Sequence, residues 1–217
     1  MKLNSLPALL GVLLLTSCIS GGKPNDFDYG KVENGIYSNS FFNCELTLPE
    51  NWVVQSNEQI QGMMQTGEDL FVGDDENMRR AIKASEINSA VLVVAFEYEL
   101  GSAVEYNPNI VITVENLRNA PGVKSGKDYL FHSQKLLSQS NMRYDHIDED
   151  FEEEKIGGAI FYKMGASIGI GDIEVYQTYY STILNGFSFS IIISHAFEEQ
   201  REELLNSVSS LKFKVVD

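Results

Sequence analysis

The stretch that decides the fold is IEVYQTYYSTILNGFSFSIIIS, residues 173–194. Two runs rich in β-branched and aromatic residues flank Asn185-Gly186, and both residues of that pair tolerate the positive φ angles of a type I′ turn. The pattern predicts a hairpin of strands 173–184 and 187–194. Phe187, Phe189, Ile191 and Ile193 share one face of the second strand, as a period of two requires.

Working outward, further strands are predicted upstream at Met142–Asp148, Phe151–Ile156 and Ala159–Ser167. Downstream, Phe197–Leu211 reads as an amphipathic helix. Its glutamates fall in the first half, where the helix dipole favours them, and Leu204, Leu205, Val208 and Leu211 point inward. In the first half of the chain, short strands are predicted at 35–42 and 45–48, before the turn Pro49-Glu50-Asn51 and the single tryptophan, Trp52, a core anchor. Helices follow at Asn57–Leu70 and Asp75–Ile87, the second with Met78, Ala81, Ile82 and Ser85 on one face. Strands at Ala90–Leu100 and Asn109–Leu117 carry apolar residues on both faces, which implies that both faces are covered. In the first of them Leu92, Val94 and Phe96 are expected opposite Val91, Val93 and Ala95. Ser125-Gly-Lys-Asp128 is a capping box opening a helix that runs to about Gln139, with Leu130, Phe131, Leu136 and Leu137 as its buried stripe. Strands joined mainly by hairpins, with helices enough for two faces, make an α+β protein: an α/β/α sandwich about a central, mainly antiparallel twisted sheet.

The N-terminus reads as a lipoprotein signal. Lys2 supplies the positive n-region, residues 6–15 the apolar h-region, and Leu15-Thr16-Ser17-Cys18 the cleavage box. The apolar run is broken by Pro7 and Gly11 and falls short of the roughly 20 residues that span a bilayer. Residues 1–17 are therefore expected to be cleaved, leaving a diacylglyceryl group on Cys18, the lipidation site and covalent anchor to the lipid bilayer. Residues 18–34, poor in apolar side chains and rich in breakers, read as a flexible tether of roughly 20–24 Å. Residues 35–217 then form a single globular domain on the extracytoplasmic side of a bacterial membrane. With Cys18 acylated, Cys44 is the last thiol, so the domain holds by packing without an internal disulfide. Removing Lys2 with the signal takes the formal charge from −15 to −16. Such an acidic surface repels phosphate backbones and excludes nucleic acid as a partner.

Catalytic patterns are sparse. Gly165-Ala166-Ser167-Ile168-Gly169 matches the nucleophile elbow of α/β-hydrolases, with His195 downstream, but it leads into another strand where the elbow needs a helix. A serine hydrolase using Ser167 is thus a minor alternative. Gly126-Lys127 lacks both the leading glycine and the Ser/Thr of a phosphate loop. The acidic run from Asp145 to Glu154 offers Asp145, Asp148, Asp150 and Glu152 as hard oxygen ligands for calcium or manganese, without the glycine of an EF-hand. Tyr176 and Tyr180, at a spacing that places them on one strand face beside Thr178 and Thr182, read first as core packing and, if the helices leave that face partly open, as a candidate recognition surface.

Several segments together resemble the PsbP-like superfamily, the fold of PsbP of photosystem II and a yeast Ran-binding protein: Leu46-Thr-Leu-Pro-Glu-Asn-Trp52, the strand pair at Ala90 and Asn109, residues 175–181, residues 185–191, and the closing helix. The resemblance implies an α/β/α sandwich and a binding or accessory role. It carries no catalytic signature and transfers no site residue. The expected function is that of a lipid-anchored, non-enzymatic binding or assembly module of the cell envelope. Its partner would be an envelope protein, and it would need no cofactor beyond the lipid on Cys18; the alternative is a divalent-cation-binding protein.

Overall fold

The computed structural model describes residues 22–214. The expected signal peptide, Cys18 and the start of the tether lie outside the described residues. Along the chain run β1 (Lys31–Glu33), β2 (Ile36–Asn39), β3 (Cys44–Thr47), β4 (Val53–Val54), α1 (Asn57–Val72), α2 (Glu76–Glu86), β5 (Ser89–Phe96) and β6 (Asn109–Asn116). After these come α3 (Gly126–Gln139), β7 (His146–Ile147), β8 (Glu152–Ile156), β9 (Ala159–Ile170), β10 (Ile173–Leu184), β11 (Phe187–His195), α4 (Glu198–Ser209) and β12 (Lys212–Phe213). Among the described residues no helix is long and apolar enough to cross a membrane.

The hairpin over 173–194, late in the sequence, is at the centre of the main sheet. Asn185 and Gly186 both have positive φ, 51° and 79°, as a type I′ turn demands. β10 and β11 pair from Leu184↔Phe187 to Tyr176↔His195, and β11 then pairs β6 through Ile191↔Ile112. The eight-stranded sheet runs β4-β5-β6-β11-β10-β9-β7, with β8 also on β9, and every pair is antiparallel.

Each face of this sheet has its own core. On one, α1, α2 and α3 bring Ile60, Met63, Phe71, Ile82, Tyr129, Leu130 and Leu137 against Val111, Met164, Tyr179 and Ile192. On the other, α4 brings Leu204 and Val208 against Phe161, Tyr180, Phe189, Ile191 and Ile193. The rest of that cover is a small sheet ordered β1-β2-β3-β12 that contributes Tyr37, Cys44 and Leu46; the strands expected at 35–42 and 45–48 supply β2 and β3, whereas β1 and β12 have no counterpart among the expected strands. The protein is α+β in class, with a mainly antiparallel sheet buried on both sides.

Local signals acted where they were read. Ser125 and Asp128 form the reciprocal capping box of α3, and the Asp75 carboxylate caps α2 by accepting from Asn77 and Met78 N–H. Other expectations need correction. The tether over 18–34 gives way to folded structure well before residue 35. The Phe27 ring packs 5.3 Å from that of Phe41 and 5.7 Å from Phe187, Asp28 accepts from Gly30 and Ser40 N–H, and β1 pairs β2. Within 142–148 only His146–Ile147 is strand. Phe131 is not part of the buried stripe of α3; it is 56% exposed. A register shift between Val91 and Val93 breaks the alternation expected along β5. Leu92 joins Val93 and Ala95 on the α4 side, while Val94 and Phe96 face α1.

Candidate functional site

β9 and β10 are each 12 residues long, whereas the ladder between β10 and β11 stops at Tyr176↔His195. The hairpin therefore overhangs the sheet. Gly171, at φ 63°, takes the left-handed position in its two-residue turn, and Ile168, Ile170, Ile173 and Val175 stand on the overhang. They face the core on the α1 side rather than water. Opposite them, Gln59, Gly62, Met63 and Thr66 recur on one stripe of α1, which a Ser56–Gln59 capping box starts at a fixed point. The loop between β5 and β6 closes the third side with Leu100, Val104, Glu105, Tyr106 and Asn107.

Together these walls enclose a cleft of about 610 Å³, with Phe96 and Met142 completing its apolar lining. That volume lies within the range of small-molecule sites, and so does the composition: apolar walls with a few polar groups held in place. Two of the polar groups, Gln177 and Tyr106, are buried at the floor. Gln177 Oε1 accepts from Tyr179 OH at 2.7 Å and from Tyr144 OH at 3.2 Å, while the Tyr106 hydroxyl shares a hydrogen bond with Ser194 Oγ. Burial raises the pKa of all three tyrosines, that of Tyr106 to about 12, so the floor is a set of neutral dipoles at physiological pH. Among the described residues no Lys, Arg, His or Cys lines the cleft, and the acids that do are Glu105 and Asp172. Such a site can hold an apolar body and orient one polar group against an amide or a hydroxyl.

The side chains singled out in the sequence lie elsewhere. Tyr176 and Tyr180 do share a strand face, yet Tyr180 is 2% exposed and packed under α4, so it is removed from any recognition surface. Tyr176 is 42% exposed, stacks on the His195 ring at 5.7 Å and donates to Glu174 at 2.6 Å. Ser167 is 5% exposed in the middle of β9, a continuous strand to Ile170, and has no elbow. Cross-strand pairing sets Ser167 opposite Tyr176 and Tyr176 opposite His195. Serine and histidine backbones are thus two strand spacings apart, roughly 9–10 Å, with a tyrosine between them. That arrangement does not form a nucleophile–base pair.

The acidic run does not converge either. Asp145 Oδ2 accepts from Gly169 N–H and Asp148 Oδ2 from Gly165 N–H, each at 2.6 Å, so these carboxylates satisfy the edge of β9 where β7 is too short to do so. Asp148 Oδ1 also meets His146 Nε2 at 2.9 Å. Glu152 and Glu154 flank Lys163 at 3.0 and 3.4 Å, and Asp150 is exposed. Among the described residues no three His, Cys, Asp or Glu side chains are grouped to hold a metal ion. Cys44 is buried, and burial pushes its thiol to about 12, which suits a core residue.

The cleft itself escaped the sequence reading. Its residues run from Gln59 to Gln177, and no one short pattern brings them together. The one available signal was length, since a strand of 173–184 outruns its partner of 187–194.

No family model matches the chain, and no curated protein matches it. Its fold is similar to several solved structures, LpqN and a cyanobacterial PsbP among them. LpqN, described as involved in cell envelope biogenesis of Mycobacterium tuberculosis, aligns at 9% identity over 78% of this chain and 82% of its own, with a TM-score of 0.45. The cyanobacterial PsbP of Synechocystis sp. PCC 6803 aligns at 14% identity over 89% of this chain and 98% of its own, with a TM-score of 0.48. The layered arrangement described above stands on the strand pairing and the two cores.

Proposed function

We propose that the protein is a non-enzymatic binding module of the cell envelope, tethered to the extracytoplasmic side of a bacterial membrane through lipid on Cys18. Its site is the cleft between α1, the β5–β6 loop and the β9–β10 hairpin. The observation that carries this reading is the cleft's construction: apolar walls from three separate elements around a pinned amide and a buried tyrosine hydroxyl. Burying an apolar ligand surface there contributes about 25 cal/mol per Å² before the cost of association, enough for a small amphiphile or aromatic compound to bind measurably. The anchor is complete without the domain, which leaves the cleft free to serve a ligand or an envelope partner that presents one.

The test uses the neutral fluorescent probe N-phenyl-1-naphthylamine. Its emission is expected to rise saturably with one site per chain. Val104→Trp and Ile170→Trp, at partly exposed positions lining the cleft, should each weaken binding at least tenfold while the melting temperature holds. Unchanged binding in both variants would place the probe elsewhere and remove the cleft from the proposal. The anchor is tested separately, by incorporation of labelled palmitate into wild type and its loss in Cys18→Ser.

A further inference from the structure

We infer that the cleft discriminates among amphiphiles by the charge of the head group, taking cationic heads in preference to anionic ones, and that Glu105 and Asp172 set this preference. The inference rests on the reading of the cleft as a ligand site. Two levels of the cleft differ in polarity. Its deep residues, Gln177 and Tyr106, are buried and neutral, so a charged group placed there would lose its hydration without a counter-charge. Its mouth is different. Glu105 on the β5–β6 loop and Asp172 at the hairpin tip both line the cleft and are both exposed, and they stand on two separate walls. With no cation in the lining to offset them, a ligand whose apolar body enters first leaves its head between two carboxylates.

Two unit charges a few ångströms from the head, in a water-like dielectric and at physiological salt, separate cationic from anionic heads by about tenfold in affinity. The protein's overall negative charge acts in the same direction, but it is spread over the whole surface and screened beyond about 8 Å. The local pair therefore decides.

The experiment compares three probes with the same ten-carbon chain, each below its micellar concentration, by displacement of N-phenyl-1-naphthylamine from the full domain. These are decyltrimethylammonium, decyldimethylamine oxide and decanoate, at pH 8 and 0.15 M salt. The expected order is cation tightest and decanoate weakest, with about tenfold between the extremes. The double variant E105Q/D172N should bring the extremes within twofold. E50Q/E202Q removes the same number of charges from exposed positions outside the cleft lining and should leave the order intact. Decanoate binding as tightly as the cation, a preference that survives E105Q/D172N, or one lost in E50Q/E202Q would overturn the charge assignment while leaving the cleft as a site. Failure of all three probes to displace, or equal displacement from the Val104→Trp variant, would overturn the cleft reading and the selectivity with it.

Discussion

Two glycines in helices make opposite predictions that helix propensity alone would not separate. Gly126 opens α3 directly after its Ser125 N-cap, and Gly62 lies inside α1. On propensity both should gain about 0.5–1 kcal/mol from replacement by alanine. Around Gly62 a new Cβ would meet nothing within 4 Å. At Gly126 it would stand 1.9 Å from the backbone oxygen of Ser181 and 2.6 Å from its carbonyl carbon. Ser181 cannot retreat, because it is paired on both sides, to Tyr162 of β9 and Ser190 of β10's other neighbour, β11. The start of α3 must lift by more than 1 Å to reach an ordinary contact, since real Cβ atoms essentially never approach closer than 3.0 Å. Lifting it disturbs Leu130, which is fully buried, and the 2.9 Å hydrogen bond that Tyr129 OH donates to buried Glu115. Overpacking costs about 1–3 kcal/mol and loosening a buried hydrogen bond about 1–3 kcal/mol more. Against a gain of about 0.5–1 kcal/mol, the net loss for Gly126→Ala is about 1–5 kcal/mol. For a domain of this size that lowers the melting temperature by about 2–20 °C, whereas Gly62→Ala should raise it by about 1–4 °C. Urea unfolding followed by Trp52 fluorescence, with thermal melts by circular dichroism, reads both. A Gly126→Ala protein as stable as wild type would refute the close packing of α3 on β10.

The tyrosine pair tests the division between core and surface: Tyr180→Ala should lose about 3–5 kcal/mol in urea unfolding, and Tyr176→Ala less than about 1 kcal/mol. Equal losses would contradict the placement of α4 over Tyr180 alone. Burial and the nearby Arg201 guanidinium hold the His195 imidazole below its usual pKa of 6.5, against a smaller upward pull from Glu198. The unfolded chain therefore binds this proton first as pH falls, so the stability the neutral ring provides is full above the unfolded value of about 6.5 and is lost as pH falls from there through the lower folded-state value. The urea midpoint of wild type should drop more between pH 7.5 and 5.5 than that of His195→Asn; parallel slopes would count against a buried neutral ring. In a Cys18→Ser background Cys44 is the last thiol, and iodoacetamide at pH 8 should label it only after unfolding, as mass spectrometry would show.

Much of the architecture was legible because it is written in short-range terms. Asn185-Gly186 admits positive φ, Ser125 and Asp75 satisfy N–H groups two or three residues ahead, and the periods of two and 3.6 mark strands and helices. Each such interaction involves residues within a turn of one another, so the sequence by itself determined the helices, the longer strands, the central hairpin and the α+β class. It also carries, in Leu15-Thr16-Ser17-Cys18, the expectation of an anchor.

What only the tertiary structure decided are outcomes of contacts between distant segments. Tyr176 and Tyr180 look equivalent along β10 until α4 covers one and leaves the other open. Phe27 reads as tether until Phe41 and Phe187 meet it from elsewhere in the chain. Gly126 reads as a helix start until Ser181 lies beneath it. The acidic run reads as a ligand set until the bare N–H groups of β9 claim two of its carboxylates. The cleft is the extreme case, because its walls are brought together by the packing of α1 against an overhanging hairpin more than a hundred residues away. Local propensity acts over a few residues, whereas the shape of an enclosed space depends on how whole elements pack.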